Sequence, residues 1–465
     1  MAKGLLQQAT WRSTTLVVAE TVLIILSVVI SAIVRLGDDA VTLLSTTGFM
    51  ARTLLIAYVC QLCLYYFDLY DDPRVQSDTH ELFVRLLQAL GLTALLLGAI
   101  YYWFPALVVG RGVFAMAAML AASVIMGWRL AFFWGTRRVR ARERLLLVGT
   151  TPVAVALARE LYNRRHDLGV EIVGFVDPDP ARVGMPVINP GIIGTIDDIP
   201  AVVRARSVDR VVVSLADARG HLPMDKLLDM KLAGVSFEHL ASVYEEYTGK
   251  IAVDNLRPSW LIFSPGFKKT RALIVAKRLM DVAAATIGLA VSLPIVALLA
   301  IAIKLTSPGP VFYRQERVGQ DGRLFFVWKL RSMRQDAEAE TGPVWATRED
   351  SRVTRVGRLM RRSRLDELPQ LWNVLNGDMS LVGPRPERPQ FVRDLTRQIP
   401  FYGQRHVVKP GVTGWAQVRY TYGASIEDAT EKLQYDLYYI KHMSVAFDLY
   451  IVFDTIKTVV MRAGH

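Results

Sequence analysis

The sequence contains very little cysteine: Cys60 and Cys63 are the only two among 465 residues. Their CxxC spacing lies inside an apolar segment, where neither thiol exchange nor metal capture is favoured. We therefore interpret both side chains as buried core thiols and assign them neither a redox nor a metal-binding role.

Glycines are missing from a loop that would need them to bind a dinucleotide. From Arg144 onward, short β-branched runs alternate with helical stretches, and this alternation predicts a parallel α/β sheet of Rossmann type. The first strand ends at Gly149, but the loop after it lacks the second and third glycines of the pyrophosphate-binding fingerprint. Asp177 ends the second strand about where a ribose-binding acid would lie. We expect a structural or regulatory fold, with a bound dinucleotide as the minor alternative.

Long apolar runs are abundant. Hydrophobic residues make up 52% of the chain, and four runs in the first 140 residues each approach the ~20 residues that span a hydrocarbon core. These runs are residues 15–34, 49–67, 82–104 and 113–134. Five arginines between residues 137 and 144 follow the fourth run, and this density marks the cytoplasmic side. We predict four transmembrane helices with both ends of the bundle in the cytoplasm; a very apolar soluble helical domain is the alternative.

A fifth apolar run, residues 279–303, is also long enough to cross a membrane. Both of its flanks are basic, so a straight crossing would put one basic cluster outside, against the positive-inside bias. Ser292 and Pro294 lie in the middle of the run, and a proline there removes a backbone donor and bends the helix. We predict a re-entrant helix that enters and leaves on the cytoplasmic face, and an ordinary fifth span is the alternative.

Acidic residues are absent from residues 352–364, which contain six arginines, and then Asp366 and Glu367 stand side by side. Apolar residues at helical spacing follow, so a helix is predicted from near Asp366 to near Asn376, with its N-terminus keeping Asp366 ionised. Neighbours on a helix point about 100° apart, so the two carboxylates suit different roles. An ionised aspartate can attack phosphorus, while a glutamate can hold Mg²⁺. The alternative is that Asp366 only caps the helix.

Basic side chains are expected beside this acidic pair. Residues 311–333 are predicted to form a β-hairpin that turns at residues 319–322, and its strands carry Arg317, Lys329 and Arg331. Isolated charges of this kind usually form a solvated surface. Close to two carboxylates, they would instead bind phosphate charge.

The segment RLDELPQLWNVLNGDMSLVGPRPE resembles the core motif of the bacterial sugar transferases, which are monotopic phosphoglycosyl transferases. The segments QERVGQDGRLFFVWKLRSM, TRVGRLMRR, KPGVTGWAQV and QYDLYYIKHMS resemble the same family and occur in its order. Four spans with a Rossmann-like insert resemble the family's long form, so the resemblance covers nearly the whole chain. One departure lies in the helix break, which is Ser292-Leu293-Pro294 here and Ser-Pro in many relatives.

The resemblance implies a reaction. Asp366 would attack the β-phosphate of a UDP-sugar and expel UMP, and polyprenyl (undecaprenyl) phosphate would then attack the sugar-phosphoryl enzyme, which initiates exopolysaccharide or O-antigen synthesis. Glu367 would hold Mg²⁺, and the re-entrant helix would lift the lipid phosphate to the site. The implied substrate-binding residues are Arg385 with its neighbours Pro384 and Pro386 and, as weaker candidates, Lys329, Arg331 and Arg361.

The predicted architecture is a membrane α-helical bundle at residues 1–140, a Rossmann-like α/β domain at 141–265 and a mixed α/β catalytic domain at 266–465 that contains the re-entrant helix. A multi-pass protein of the bacterial inner membrane is expected, with its catalytic domain facing the cytoplasm. The sequence leaves open whether the protein is a monomer or a homodimer, and which sugar it transfers.

Two other functions compete with this one. A membrane-bound nucleotide-sugar dehydratase would need a Tyr-x-x-x-Lys pair, but none of the 17 tyrosines has lysine four residues on. A non-catalytic scaffold that holds anionic lipid would need no acids beside the arginines. Nucleic-acid binding is disfavoured, because the basic residues cluster next to a membrane-embedded run rather than along an aromatic groove.

Overall fold

The computed structural model describes residues 11–40, 48–67, 69–70, 79–139, 143–163, 170–214, 224–232, 234–253, 264, 266–334, 352–420, 423 and 425–462. The predicted domain boundaries at 140–141 and 265, and part of the arginine run after the fourth helix, lie outside these residues. The density of backbone contacts divides the chain into two compact units, and the second comprises the described residues from Phe237 onward together with residues 148–157 and 212–214.

Four apolar helices form a bundle in the first unit. They are α1 (Trp11–Leu36), α2 (Phe49–Tyr66), α3 (Thr79–Trp103) and α4 (Arg111–Val139). Helix α1 packs against α2 and α4, and α2 packs against α3. The bundle also buries an ion pair, in which Glu20 Oε1 lies 2.6 Å from Arg129 Nε. The four predicted helices are therefore present, and each is long and apolar enough to cross a membrane, while the crossing itself stays a prediction.

A five-stranded sheet follows, as the alternating pattern predicts. Its elements are β1 (Glu143–Val148), α5 (Pro152–Asn163), β2 (Val170–Asp177), β3 (Ile192–Thr195), α6 (Ile199–Arg206), β4 (Arg210–Val213), α7 (Met224–Leu232) and β5 (Ser236–His239). The strand order is β3-β2-β1-β4-β5, and β2 pairs with β3 in parallel. Asp177 ends β2, but its carboxylate is paired with Arg182 Nη1 at 3.0 Å rather than left open for a ribose.

The second unit is a mixed α/β domain. Its helices are α8 (Leu240–Thr248), α9 (Arg271–Thr306), α10 (Arg355–Arg362), α11 (Gln370–Asn376), α12 (Pro389–Gln398), α13 (Trp415–Arg419), α14 (Ile426–His442) and α15 (Val445–Arg462), and its strands are β6 (Phe312–Val318), β7 (Leu324–Leu330), β8 (Ser380–Val382) and β9 (Gly411–Thr413). Strands β6 and β7 form the predicted antiparallel hairpin, in which Val318 pairs with Leu324. Strands β8 and β9 pair in parallel.

Helix α9 carries the fifth apolar run. It is helical without interruption over 36 residues, with Pro294 inside it, so the chain does not turn back through a loop. Most of its apolar side chains, such as Leu293 and Leu298, are exposed. A re-entrant path would therefore need a bend within one continuous helix, and re-entrance stays a prediction.

Helix α8 packs against α14 in the second unit. Glu245 of α8 accepts a hydrogen bond from Lys441 Nζ at 2.7 Å, and Trp415 Nε1 donates to Gly249 O at 2.9 Å. These contacts are buried or partly buried, so α8 belongs to the same compact unit as α14.

Candidate active site

The site begins where α11 docks on strand β7. Asn373 of α11 is almost fully buried, and its side-chain amide accepts from Trp328 N at 3.1 Å and donates to Phe326 O at 2.7 Å. These two bonds satisfy backbone groups of β7 that lack a strand partner on that side. Val327 and Val374 share one small core with Ala285 of α9. The helix that follows the acidic pair is thereby fixed beside the strand that carries Lys329.

The acidic pair lies in a short turn before the α-helix. Asp366 and Glu367 belong to a 3-10 turn, Leu365–Glu367, while α11 begins at Gln370 with Pro369 at its N-cap. The predicted helix start near Asp366 is therefore wrong, and Asp366 does not cap α11, because Leu368 and Pro369 intervene. Arg364 introduces the turn in a left-handed conformation (φ 54°), which is uncommon for residues other than glycine.

Glu367 is surrounded by cations. Its Oε1 accepts from Arg385 Nη2 at 2.8 Å and from Lys329 Nζ at 3.2 Å, and its Oε2 lies 3.5 Å from Arg364 Nη1. The Glu367 side chain is 11% exposed. A partly buried carboxylate with three cationic neighbours fixes the orientation of those side chains through charge-assisted hydrogen bonds.

The two carboxylates have opposite pKa shifts. Burial raises the pKa of Asp366, and the negative charge of Glu367 raises it further, against the lowering effect of Lys329 and Arg361. Burial would also raise the pKa of Glu367, but Arg385, Lys329 and Arg364 outweigh it and hold that pKa well below its usual range. The expectation that a helix N-terminus favours the ionised form of Asp366 is therefore wrong, because Asp366 lies in the preceding 3-10 turn and its burial favours the protonated form. A pair whose pKa values are pushed apart is typical of two carboxylates with different roles.

The remaining predicted residues divide into two groups. Arg385 and Lys329 contact Glu367, and the charge of Arg361 acts on Asp366 while its Nε donates to Ser332 Oγ at 2.9 Å. Arg331 instead donates to Ser307 O at 2.9 Å and Pro308 O at 2.7 Å, so it ties the end of α9 to β7. Arg331 is thereby assigned a structural contact rather than one with the carboxylates.

Pro384 and Pro386 lie on either side of Arg385 and take part through their backbone. Pro384 O accepts from Gly411 N at 3.0 Å, and Pro386 O accepts from Arg317 Nη1 at 3.1 Å. The loop of residues 383–386, which we call the GPRP loop, is therefore held at its carbonyl groups while the Arg385 side chain reaches the acidic pair.

A divalent cation fits this site only with help from a substrate. Among the described residues there is no group of three His, Cys, Asp or Glu side chains that could hold a metal ion. Glu367 Oε1 is already bonded to two cations, whereas Oε2 has one long contact to Arg364. Magnesium is commonly bound by one or two carboxylates together with substrate phosphates and water. The acidic pair is compatible with that mode, in which Glu367 Oε2 would be the protein ligand.

Sequence reasoning did not name Arg364 as a residue of the site. Arg364 directly precedes the turn, and its place at the end of the arginine run was the available signal. Arg317 was expected beside the acidic pair, though not among the implied substrate-binding residues; it donates instead to Pro386 O, and burial lowers its pKa to about 10. Its contact with Pro386 O joins residues 69 positions apart, which no local pattern predicts.

Comparison with known proteins gives the family. Residues 272–462, which include every residue of the site, match the model of the bacterial sugar transferases, and residues 66–221 match a CoA-binding domain. A relative from Escherichia coli (strain K12), named UDP-glucose:undecaprenyl-phosphate glucose-1-phosphate transferase, is 35% identical over 336 residues, which are 70% of this chain and 69% of that protein. The chain belongs to the bacterial sugar transferase family.

Two further relatives of this chain differ from each other in the sugar that their names state. A UDP-N-acetylgalactosamine-undecaprenyl-phosphate N-acetylgalactosaminephosphotransferase from Aeromonas hydrophila is 44% identical over 233 residues, 50% of this chain and 54% of that protein. A UDP-glucose:undecaprenyl-phosphate glucose-1-phosphate transferase from Xanthomonas campestris pv. campestris is 36% identical over 326 residues, 67% of this chain and 65% of that protein. The chain thus spans between about half and two thirds of the length of these two relatives.

Proposed function

We propose that this protein transfers a sugar 1-phosphate from a UDP-sugar to polyprenyl phosphate, through a covalent intermediate on Asp366. The observation that carries the proposal is the acidic turn itself: a buried aspartate next to a glutamate that gathers Arg385, Lys329 and Arg364. Relatives whose names state sugar-phosphate transfer from a UDP-sugar to undecaprenyl phosphate support the transfer part of the proposal.

The proposed reaction has two displacements at one phosphorus atom. An Oδ of Asp366 attacks the β-phosphorus of the UDP-sugar, and the bond to the bridging oxygen breaks as UMP leaves with that oxygen and its electron pair. A phosphate oxygen of polyprenyl phosphate then attacks the same phosphorus and releases the Asp366 carboxylate. The product is a polyprenyl diphosphate sugar, the first lipid-linked intermediate of an exopolysaccharide or O-antigen.

The cationic residues bind the negatively charged diphosphate of the substrate. Arg385 and Lys329 are oriented by Glu367, so their positive charges are already in place when the substrate arrives. The opposite pKa shifts fit these roles, because Glu367 stays ionised as an anchor while Asp366, which is destabilised as an anion, is the more reactive carboxylate.

Magnesium is part of the proposal. Glu367 and substrate phosphates would hold the ion, which would neutralise phosphate charge when bound. The protein's own residues orient the diphosphate and exclude water around Asp366.

The names of the relatives suggest which sugars to test first. Glucose occurs in the names of the Escherichia coli and Xanthomonas relatives and N-acetylgalactosamine in that of the Aeromonas relative. A panel of UDP-glucose, UDP-galactose, UDP-N-acetylglucosamine and UDP-N-acetylgalactosamine, each with polyprenyl phosphate, would identify the donor by release of UMP.

The decisive experiment omits the lipid acceptor. With the correct UDP-sugar and Mg²⁺, the enzyme should release one equivalent of UMP and retain one sugar phosphate on Asp366, which peptide mass spectrometry would locate. Asp366→Asn keeps the size of the side chain but offers a weakly nucleophilic oxygen, so both the adduct and turnover should fall by at least ~1,000-fold, or ~4 kcal/mol in the barrier.

The matched control is Asp321→Asn, which makes the same change at an exposed position in the turn between β6 and β7. It should form the adduct at the wild-type rate. Normal turnover by a folded Asp366→Asn enzyme would refute the covalent mechanism, and UMP release that occurs only with the lipid acceptor would indicate direct transfer instead.

A further inference from the structure

A buried ion pair lies behind the GPRP loop. Arg405, in the 3-10 turn Tyr402–Val407, has its Nη2 2.8 Å from Asp436 Oδ2 of α14, and the two side chains are 5% and 2% exposed. The same guanidinium donates from Nη1 to Tyr402 Oη at 2.6 Å. Neither residue contacts the acidic turn directly in any bond that we observe among the described residues.

The ion pair contacts the main chain of Arg385, the arginine proposed to bind phosphate. Arg405 Nη2 donates to Arg385 O at 3.0 Å, and Arg385 in turn donates to Glu367 Oε1 at 2.8 Å. Asp436, Arg405, Arg385 and Glu367 thus form one continuous chain of contacts from α14 to the acidic turn.

A pair of this kind is hard to explain by stability alone. Removing two charges from water costs free energy that their attraction often fails to offset, and buried pairs can commonly be replaced by apolar residues without loss of stability. A guanidinium that also fixes a carbonyl oxygen defines the position of that residue. The residue fixed here is the one whose guanidinium reaches Glu367.

The rest of the GPRP loop is held independently of Arg405. Before the loop, Val382 O accepts from Lys277 Nζ and from Tyr439 Oη, both at 3.0 Å. At its end, Pro386 O accepts from Arg317 Nη1. Loss of the bond from Arg405 would therefore release residue 385 while its neighbours stay anchored.

We propose that Arg405, held by Asp436, is a positioning residue of the transferase: it fixes the main chain at Arg385 so that the Arg385 guanidinium stays against Glu367 and faces the diphosphate. This inference rests on the proposed function. Displacement of a substrate-binding group by about 1 Å can cost on the order of 100-fold in rate. Arg405 thus acts through Arg385 and needs no contact with substrate.

The test is a double-mutant cycle in the full-length protein. Arg405→Lys, Arg385→Ala and the combined variant are compared with wild type for kcat/KM of UMP release and for equilibrium binding of the UDP-sugar, the binding being measured in the Asp366→Asn background. Arg405→Lys should lower kcat/KM by about 10- to 100-fold. In the Arg385→Ala background the same change should have little further effect, because the residue that it positions is gone. If Arg385→Ala abolishes UMP release, the same comparison is made with the equilibrium binding constants for the UDP-sugar.

A second variant separates positioning from folding. Arg405→Met combined with Asp436→Leu replaces the ion pair by apolar side chains of similar size. This double variant should have a melting temperature close to that of wild type. The positioning role requires that activity stays low in this stable variant. Arg210→Lys is the matched control, because Arg210 forms a 2.8 Å pair with Glu143 in the five-stranded sheet, and it should keep wild-type activity.

The outcomes are distinct. Arg405→Lys would refute the positioning role if it lowered kcat/KM equally in the wild-type and Arg385→Ala backgrounds. Recovery of activity in the variant with Arg405→Met and Asp436→Leu would also refute it, while the transferase activity would stand. No UMP release by wild type from any UDP-sugar would overturn the proposed function and this inference together.

Discussion

Two adjacent carboxylates occupy opposite electrostatic environments, and this contrast is the main residue-scale feature of the site. Glu367 gains three cationic neighbours, whereas burial dominates at Asp366. Because the folded-state pKa of Asp366 is raised, the folded protein binds more protons than the unfolded chain between the usual aspartate pKa and the raised value. The free energy of unfolding therefore decreases as the pH rises through that window. At neutral pH the ionised Asp366 destabilises the fold.

Asp366→Asn should accordingly raise the melting temperature at pH 7.5. Asparagine resembles the protonated aspartate, so the difference from wild type should shrink as the pH is lowered through the raised pKa of Asp366. Thermal unfolding in detergent across pH 4.5–8 would measure it, with Asp321→Asn as the control that should show no pH-dependent difference. A lower melting temperature for Asp366→Asn at pH 7.5 would contradict the assigned electrostatics. Loss of activity with a gain in stability is typical of catalytic residues.

Part of this site was predictable residue by residue. The absence of acids among the arginines of residues 352–364 singled out Asp366 and Glu367, and the hairpin pattern placed Lys329 near them. The outcome for Arg331 was not predictable, because it lies two positions from Lys329 yet bonds to the carbonyl groups that follow α9. Which of two nearby cations reaches a carboxylate depends on the packing of distant elements, and no local periodicity contains that information.

At the scale of elements, the site depends on a very close approach of β8 and β9. A Cβ atom added to Gly411 at the start of β9 would lie 2.1 Å from Gly383 N and 2.6 Å from Gly383 O. Gly411 N also donates to Pro384 O. The parallel strand pair thus brings the backbone of β9 directly against the GPRP loop, where no side chain fits.

Gly411→Ala should therefore displace the GPRP loop. The substitution forces backbone atoms apart, which typically costs about 1–3 kcal/mol, and it should lower kcat/KM for UMP release more than it lowers the melting temperature. Gly403→Ala is the control, because a Cβ at Gly403 meets nothing within 4 Å. Wild-type activity in a folded Gly411→Ala protein would show that the loop does not need this close approach.

Elements were predicted more reliably where a strong local pattern exists. The β6–β7 hairpin and the stop of α11 at Gly377 follow the sequence pattern, since turn residues and apolar spacing are local signals. The start of α11 was predicted four residues too early, because acids followed by apolar residues resemble a helix N-terminus even where a 3-10 turn intervenes. Short strands such as β8 and β9, with three residues each, carry too little pattern to be predicted.

At the scale of the whole molecule, α14 contacts parts of the second unit that are remote from each other in sequence. Lys441 of α14 donates a hydrogen bond to Glu245 of α8, and Asp436, also on α14, forms an ion pair with Arg405. The predicted catalytic domain begins at residue 266, and α8, which precedes it in sequence, belongs to the same compact unit as α14. The Rossmann-like pattern ends near this point in sequence, so the alternation of strands and helices could not reveal that α8 packs against α14.

Other elements of the second unit contact α9 near both of its ends. Near the N-terminal end, Lys277 Nζ donates to Val382 O and lies 2.5 Å from Asp448 Oδ2. At the C-terminal end, Arg331 bonds to Ser307 O and Pro308 O, and Ile303 is buried against Leu330. Among the described residues after α9, no other helix is long and apolar enough to cross a membrane. These contacts support a path in which both ends of α9 face the same side, with its exposed apolar surface in the lipid.

Labelling of single cysteines tests this topology. In a background with Cys60 and Cys63 replaced by alanine, Lys268→Cys before α9 and Arg323→Cys in the β6–β7 turn should both react with a membrane-impermeant maleimide only after the cells are opened, because both positions are exposed and are expected in the cytoplasm. Ala106→Cys, in the connection between α3 and α4, should react in intact cells if the four-helix bundle has both ends inside. Labelling of Arg323→Cys in intact cells, with Lys268→Cys protected, would mean that α9 crosses the membrane as an ordinary span.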